Sequence, residues 1–462
     1  MMSSASRKIL VLGSGFVAKP CVEYLSRNPN NTITVASRSL ERAKLLITGL
    51  PNTQAITLDA NDEAKLTIAL ESYDLVISLL PYTYHPTVLR AAIATKTHMI
   101  TTSYVSPAMR ALDAAARTAG ILVLNEVGLD PGIDHLYATR AIASIHANGG
   151  NVREYHLYCG SLPEPGVAAR NPLHHGFAWS PRGSLLALMN AAQYISANKV
   201  VKVEGKNLLR GATPIDIPGW DAASKSGLEF VAYPNRDSVS FRVWYDIPEA
   251  EVILRATLRY NGFCEVIVAL IDMGWMDTTP KEWLSPETTW AEATQHAIGA
   301  PNASEDSLKA SIRSVCSFGS DSDADRVLSC LHWLGLFSFT KVTFRAGNLL
   351  DTLCANLEVL MKLEDGQRDL VVMVHKYVVE WQDGSTETIT QTMEMYGETE
   401  GDSAMAITVG RTCGIATQLV LDGVFDHIRG IQAPYKSEIV DPIREVLDKD
   451  DSITFTERRV RT

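Results

Sequence analysis

The stretch Lys8-Ile-Leu-Val-Leu-Gly-Ser-Gly-Phe-Val-Ala18, followed by Thr32-Ile-Thr-Val-Ala-Ser-Arg38, decides the fold. An apolar, β-branched run ends in Gly13-Ser14-Gly15, and Ala18 falls where the fingerprint G-x-G-x-x-G/A admits Gly or Ala. Gly13 suits the tight turn, and Gly15 lets backbone amides approach a pyrophosphate at a helix N-terminus. The second strand ends in Ser37-Arg38, without the acidic residue that usually grips the ribose hydroxyls of NAD. A guanidinium there suits a 2′-phosphate. The spacing predicts a dinucleotide-binding βαβ unit with NADP(H) as cofactor. The competing reading is a glycine turn in an ordinary α/β core beside an exposed Arg38.

Working outward, short apolar runs near 8–12, 32–36, 55–58, 74–79, 97–101 and 121–125 alternate with helical stretches. That rhythm predicts a doubly wound parallel sheet. Asp59 follows the third strand, and Ser78-Leu-Leu-Pro81 runs into a Tyr/His-rich loop at 82–85. Such loops lie at strand C-terminal ends, where these sheets bind ligands. A helix over 141–150 ends in glycine, and the pattern then changes to strands such as Val152–Cys159 and Val200–Glu204, which open a second α/β domain. Residues 280–345 read as a small helical insertion. Asp383-Gly384 joins two β-rich runs, 369–380 and 386–395, as a hairpin of type I′. A last apolar helix near Thr412–Asp422 and the tail behind it would pack back on the first domain.

The chain has 462 residues, 46% of them hydrophobic and 21% charged, enough for two or three domains. A net charge of −11 argues against a nucleic-acid surface. The seven cysteines are odd in number and never in CxxC spacing, which disfavours a disulfide framework or zinc site and suits a reducing, cytoplasmic compartment. No run approaches the roughly 18 apolar residues of a membrane span. The first strand begins almost at Met1, so the chain reads as free-standing without a signal peptide.

Three loop sets carry the chemistry. Thr101-Thr-Ser-Tyr104 follows the fifth strand, beside the nicotinamide half of a dinucleotide; Ser103 alternatively caps a helix ahead of Pro107. In Asn125-Glu-Val-Gly-Leu-Asp-Pro-Gly-Ile-Asp134, Asp130 either caps a helix or meets a substrate ammonium. Arg236 and Arg259 sit among turn formers, where a guanidinium is either a structural ion pair or a carboxylate clamp, and two clamps imply a polycarboxylate. Cys159 ends an apolar strand, where a buried free thiol is the common finding. His174-His175 is a poor chelate, and no metal is expected.

Taken together, Gly13 to Val17, Ala36 to Arg38, Ser78 to Pro81, Thr101 to Tyr104, Leu129 to Asp134, Tyr158 to Gly160, Tyr233 to Ser238 and Thr257 to Phe263 closely resemble the fungal saccharopine reductases. These are the NADP-dependent, glutamate-forming saccharopine dehydrogenases of lysine biosynthesis. The similarity continues through Arg368 to Val371 and Gly430 to Pro434. The resemblance implies a variant Rossmann domain over 1–132, with 412–462 packing back on it. It further implies a mixed α/β substrate-binding and dimerisation domain over 133–279 and 346–411, and a small all-helical domain over 280–345.

Function is implied in the same way: NADPH reduces the imine of L-2-aminoadipate 6-semialdehyde and L-glutamate to saccharopine, in a homodimer. By position, Gly13, Ser14, Gly15, Phe16, Val17, Ser37, Arg38, Asp59, Leu79, Thr102, Ser103, Leu129, Asp130, Pro131 and, in a loop that is hard to register, Ser180 resemble cofactor contacts. Ser103, Tyr104, Asp130, Arg236, Arg259, Tyr260 and Asn261 resemble substrate contacts. Asp130, Tyr104 and Cys159 are candidates for moving a proton, as are water and the substrate amine. A carboxynorspermidine-type imine reductase and a non-catalytic NADP-binding scaffold are the alternatives, and the two arginines and intact loops argue against them.

Overall fold

The computed structural model describes residues 6–177, 180–449 and 453–461. The first domain supplies β1 (Arg7–Leu12), β2 (Asn31–Ser37), β3 (Thr53–Thr57), β4 (Leu75–Ser78), β5 (His98–Thr101) and β6 (Leu122–Leu124), all parallel. Because alternate side chains leave opposite faces of a strand, both faces of β1 must be covered. Ile9 and Val11 meet Ala18, Cys21 and Leu25 on one side, while Leu10 and Leu12 meet Leu66, Val88 and Met109 on the other.

A nine-stranded mixed sheet forms the second domain. Its strands are β7 (Gly150–Pro163), β8 (Ala192–Ser196), β9 (Lys199–Val203), β10 (Thr213–Ile215), β11 (Phe230–Pro234), β12 (Val252–Tyr260), β13 (Asp369–Trp381) and β14 (Thr386–Tyr396), completed from the C-terminus. β7 lies parallel to β12 and antiparallel to β13. The hairpin between β13 and β14 differs from the type I′ expectation. Only Gly384 of the turn has positive φ, and Gly384 N–H donates to the Trp381 carbonyl at 2.9 Å while Trp381 N–H donates to Ser385. This is a type I turn with a glycine bulge, since Asp383 is spared the left-handed conformation that type I′ demands.

The helices between the two halves of this sheet run from Phe263–Asp272 to Leu349–Leu360, beyond 280–345 on both sides. Their shared core explains the extension, since Trp275, Trp290, Leu308, Leu331 and Leu353 form one buried cluster with Leu185.

After β14 the chain returns to the first domain. Helix Ala404–Leu421 starts earlier than the expected 412 and packs on the first helix, Ala18–Ser26. It is long and apolar enough to cross a membrane, an exception to the expectation that no such run exists, yet 78% of it is buried inside the protein. Glycines allow the close approach: a Cβ on Gly410 would lie 2.6 Å from the Val17 carbonyl, and one on Gly414 would lie 3.1 Å from the Tyr24 ring. β15 (Gly430–Gln432) then adds a seventh parallel strand beside β6, giving the order β15-β6-β5-β4-β1-β2-β3. The final strand, β16 (Thr456–Arg461), pairs with β14 in the second sheet, so 412–462 serves both domains.

Candidate active site

The strand order reverses between β1 and β4, which opens a crevice at the C-terminal ends of those strands. Gly13 sits there with φ +113°, and a Cβ on it would stand 3.1 Å from the Leu79 carbonyl. Gly15, in contrast, has open space above its backbone, and the following helix has no side chain capping its N-terminus. With Ala18 N–H taken by the Gly15 carbonyl and no N–H on Pro20, the backbone of the loop from Ser14 to Val17 beside the open glycine offers the cradle a pyrophosphate requires. The Ser14 hydroxyl donates to Ser37 Oγ at 2.9 Å, tying the loop to the end of β2. Arg38 is exposed and pairs with no carboxylate among the described residues, while Phe16 is 42% exposed at the rim. Asp59 accepts from its own turn, at Asn61 N–H. The residues thus fit an NADP molecule.

Ser103 is not a helix cap; that role belongs to Ser106, which accepts from Met109 N–H. Instead Ser103 Oγ lies 2.9 Å from Nε2 of His85, whose Nδ1 is 3.0 Å from Ser78 Oγ. Thr101 Oγ1 also reaches His85 Nε2, at 3.1 Å. Burial pushes the His85 pKa down to about 4, so the ring is neutral near pH 7. The expected loop at 82–85 is instead a 3-10 turn, Tyr82–Tyr84, followed by helix His85–Thr95, which starts at His85; the sheet order then brings this residue behind Ser103.

Asp130 is not a cap either. Its Oδ1 accepts from the Tyr104 hydroxyl at 2.6 Å and from Arg255 Nη2 at 2.6 Å. The same Nη2 donates to Tyr104 Oη at 2.9 Å and to Asp134 Oδ2 at 2.6 Å. Arg255 is 1% exposed, with its guanidinium 4.2 Å from the Phe241 ring centroid. The signal that would have found it is an arginine in the middle of the apolar strand Val252–Tyr260, three residues in from its start, where a buried charge needs partners. Burial raises the Asp130 pKa, the Arg255 charge opposes that rise, and Asp134 adds to it. Burial also drives the Tyr104 pKa well above its ordinary value. Cys159 is buried too, and its thiol is pushed well up by burial and by the negative charges of Asp130 and Asp134.

β12 carries Arg255, Thr257 and Arg259 on one face, and Thr257 lies beside Cys159 of β7. Arg236, at φ +51°, places its guanidinium 5.5 Å from the Tyr104 ring centroid. Neither Arg236 nor Arg259 pairs with a carboxylate among the described residues; Arg259 Nε is buried without a partner. Tyr260 corrects the sequence expectation. Strand alternation turns its side chain to the opposite face, where it stacks on Phe230 and donates to the Pro163 carbonyl, so only its backbone remains near Arg259. Asn261 is exposed and accepts at its carbonyl from His174 Nδ1. Ser180 caps helix Pro181–Ala187 by accepting from Gly183 N–H, and none of its hydrogen bonds reaches the glycine loop.

A second buried cluster backs the first. Glu126, at φ +62°, accepts from Val105 N–H, His135 Nε2 and the Tyr435 hydroxyl. Burial raises its pKa, but the bonds from His135 and Tyr435 bring it net below the ordinary value. Tyr435, from the C-terminal segment, thereby joins the wall of the site.

Residues 9–124 match the model of the saccharopine dehydrogenase NADP binding domain, and residues 128–453 match that of the saccharopine dehydrogenase C-terminal domain. The chain is 48% identical over 446 residues to a saccharopine dehydrogenase [NADP(+), L-glutamate-forming] of Schizosaccharomyces pombe, covering 96% of this chain and 97% of that protein. It superimposes on the apo saccharopine dehydrogenase (L-Glu forming) of Saccharomyces cerevisiae with a TM-score of 0.88 at 46% identity, covering 98% of this chain and 100% of the other. It is also 36% identical to the mitochondrial alpha-aminoadipic semialdehyde synthase of Bos taurus, over 97% of this chain and 47% of that longer protein. With two family models spanning most of its length and relatives of near-equal length at this identity, the chain belongs to the saccharopine dehydrogenase family.

Proposed function

We propose that this protein is an NADP-dependent saccharopine dehydrogenase of the L-glutamate-forming type. It reduces the imine of L-2-aminoadipate 6-semialdehyde and L-glutamate to saccharopine, reversibly, in lysine biosynthesis. The observation that carries this reading is that Arg236, which pairs with no carboxylate among the described residues, stands over the ring of Tyr104 whose hydroxyl binds Asp130, while Arg259, equally without a carboxylate, acts together with Asp130 on Cys159. A substrate with several carboxylates and an amine centre answers both sets of groups.

When bound, NADPH supplies the hydride; the protein side chains supply alignment and charge. Arg38 and the loop from Gly13 to Val17 hold the phosphates. Arg236, Arg259 and Ser103 hold carboxylates of the substrate. Asp130 Oδ1 is occupied by Tyr104 and Arg255, whereas Oδ2 has no hydrogen-bond partner among the described residues. That second oxygen faces the substrate amine. The Tyr104 hydrogen is committed to Asp130 and the Cys159 thiol stays protonated. Asp130 is therefore the group on which a proton moves during imine formation, with the substrate amine and water as its partners.

A homodimer and a cytoplasmic address complete the reading, supported by the family resemblance and by seven buried, unpaired cysteines. Light scattering at micromolar concentration checks the first, and a monomeric mass refutes it. The activity is tested by NADPH oxidation with glutamate and the semialdehyde, together and separately. Turnover with both substrates and neither alone is expected; no turnover with both rejects the assignment.

A further inference from the structure

Arg255 is assigned no role by the family motifs, yet it is the cation on which the site closes. It comes from β12 of the second domain, while Tyr104 follows β5 and Asp130 follows β6 of the first. Its Nη2 contacts three acceptors, Tyr104 Oη, Asp130 Oδ1 and Asp134 Oδ2, while its Nε is buried with no partner. An Nη2 group carries two hydrogens, so the three acceptors share them. We propose that Arg255 is a positioning residue: anchored on Asp134 and stacked on Phe241, it fixes Tyr104 and Asp130 so that the phenolic hydrogen stays on Oδ1 and Oδ2 alone meets the substrate amine.

A purely structural ion cluster would show the same burial, so the distinction lies in what the clamp does to Asp130. The groups that face Asp130 are Tyr104 from the β5 loop, Asp134 and His135 from the following helix, Arg255 from β12, Cys159 from β7 and His375 from β13. Arg255 is the permanent cation in direct contact with it. Asp134 lies next to it, held also by Gly132 N–H and 3.4 Å from His135 Nδ1, and Arg255 is the member of that set that donates to both carboxylates. Without the guanidinium, two carboxylates share a dry site, which drives one of them toward its protonated form. A protonated Asp130 cannot hold an ammonium, so substrate capture is lost at higher pH than in the parent protein.

This inference rests on the reading of the site given above, and two readouts separate the two. The first is the pH profile of kcat/KM for saccharopine in the full-length protein and in Arg255→Lys and Arg255→Gln. The acid limb is expected to move upward by about one pH unit or more in Arg255→Gln, with partial restoration in Arg255→Lys. NADPH affinity, read by fluorescence, is expected to stay within about twofold. Adding Arg255→Gln to Asp130→Asn is expected to lower kcat/KM little further, because residues acting as one unit are not additive.

The second readout needs no substrate: carbon-13 NMR titration of aspartate carboxyls, with the Asp130 signal assigned by Asp130→Asn. An upward shift of that titration in either Arg255 variant supports the clamp even if saccharopine proves to be the wrong substrate. Should Arg255→Gln fail to fold, Arg255→Lys carries both measurements. An unmoved acid limb and an unmoved Asp130 titration in folded Arg255→Lys and Arg255→Gln, or fully additive losses with Asp130→Asn, overturn the proposal.

Discussion

Nε2 of His85 stands 2.9 Å from the hydroxyl of Ser103, and the other ring nitrogen is held by Ser78. A neutral imidazole bonded on both sides has a fixed orientation, so it fixes the Ser103 hydroxyl in turn. Ser103 is shared between cofactor and substrate in the reading given above. Replacing His85 by Asn removes the Ser103 contact, and the expected loss is about 0.5–1.5 kcal/mol in saccharopine binding, with a smaller change for NADPH. Steady-state KM and fluorescence titration measure both; unchanged values for both remove His85 from the site.

His85 and His375 also set an acid limit on stability. Burial holds them at about 4 and about 3, below the ordinary 6.5. As pH falls below 6.5 the unfolded chain takes up protons that the native protein refuses, so stability present above that pH is lost progressively toward the folded values. For His85 the full effect is on the order of 3 kcal/mol. Urea unfolding at several pH values between 7 and 4.5 is expected to show the decline, and His375→Gln should make it shallower. An identical slope in the variant contradicts the assignment.

Arg38 is exposed at the end of β2 and lies beside Ser37, which the glycine loop engages through Ser14. Arg38→Ala is expected to weaken NADPH binding by about 1.5–3 kcal/mol and to leave NADH nearly untouched. Comparing the two dissociation constants is the check. An unchanged preference places the 2′-phosphate elsewhere.

Arg236 and Arg259 carry the carboxylate reading. Arg236→Ala and Arg259→Ala should each weaken saccharopine binding by about 1.5–3 kcal/mol while NADPH affinity holds. Calorimetry with cofactor and saccharopine separately reads the split. Parent-like saccharopine binding in both variants would mean that the polycarboxylate site lies elsewhere.

Gly410 is where the C-terminal helix presses on the cofactor helix. Its missing Cβ makes room for the Val17 carbonyl and for Cys21 N–H, at 2.6 and 3.0 Å from where a Cβ would stand. Gly410→Ala must push Ala18–Ser26 aside, at a cost of about 1–3 kcal/mol in stability. Since Val17 ends the glycine loop, weaker NADPH binding should accompany the lower Tm. A variant with parent Tm and affinity would show that the helices separate freely.

The sequence alone determined the parallel sheet, the glycine loop and the two arginines, because those signals are local. Strand periodicity, a turn that requires glycine and a guanidinium beside turn formers each act within a few residues, although Arg259 proved to lie inside β12, paired with Val231, and not in the turn that follows. The same reading left Ser103 and Asp130 between capping and chemistry, since a polar residue ahead of a helix looks alike in both roles. Tertiary structure decided both, by giving the caps to Ser106 and leaving Ser103 to His85 and Asp130 to Tyr104 and Arg255. It also turned Tyr260 away from the site, a consequence of strand alternation that motif matching ignores. Arg255, Glu126 and Tyr435 were not legible because decisive partners are distant in the chain, and His85 because its partners lie on neighbouring strands that only the sheet brings together. Tyr104 and Arg255 are 151 residues apart, and Glu126 and Tyr435 are 309 apart. A buried charge is recognised by what surrounds it, and that surrounding exists only once the two sheets have folded against each other.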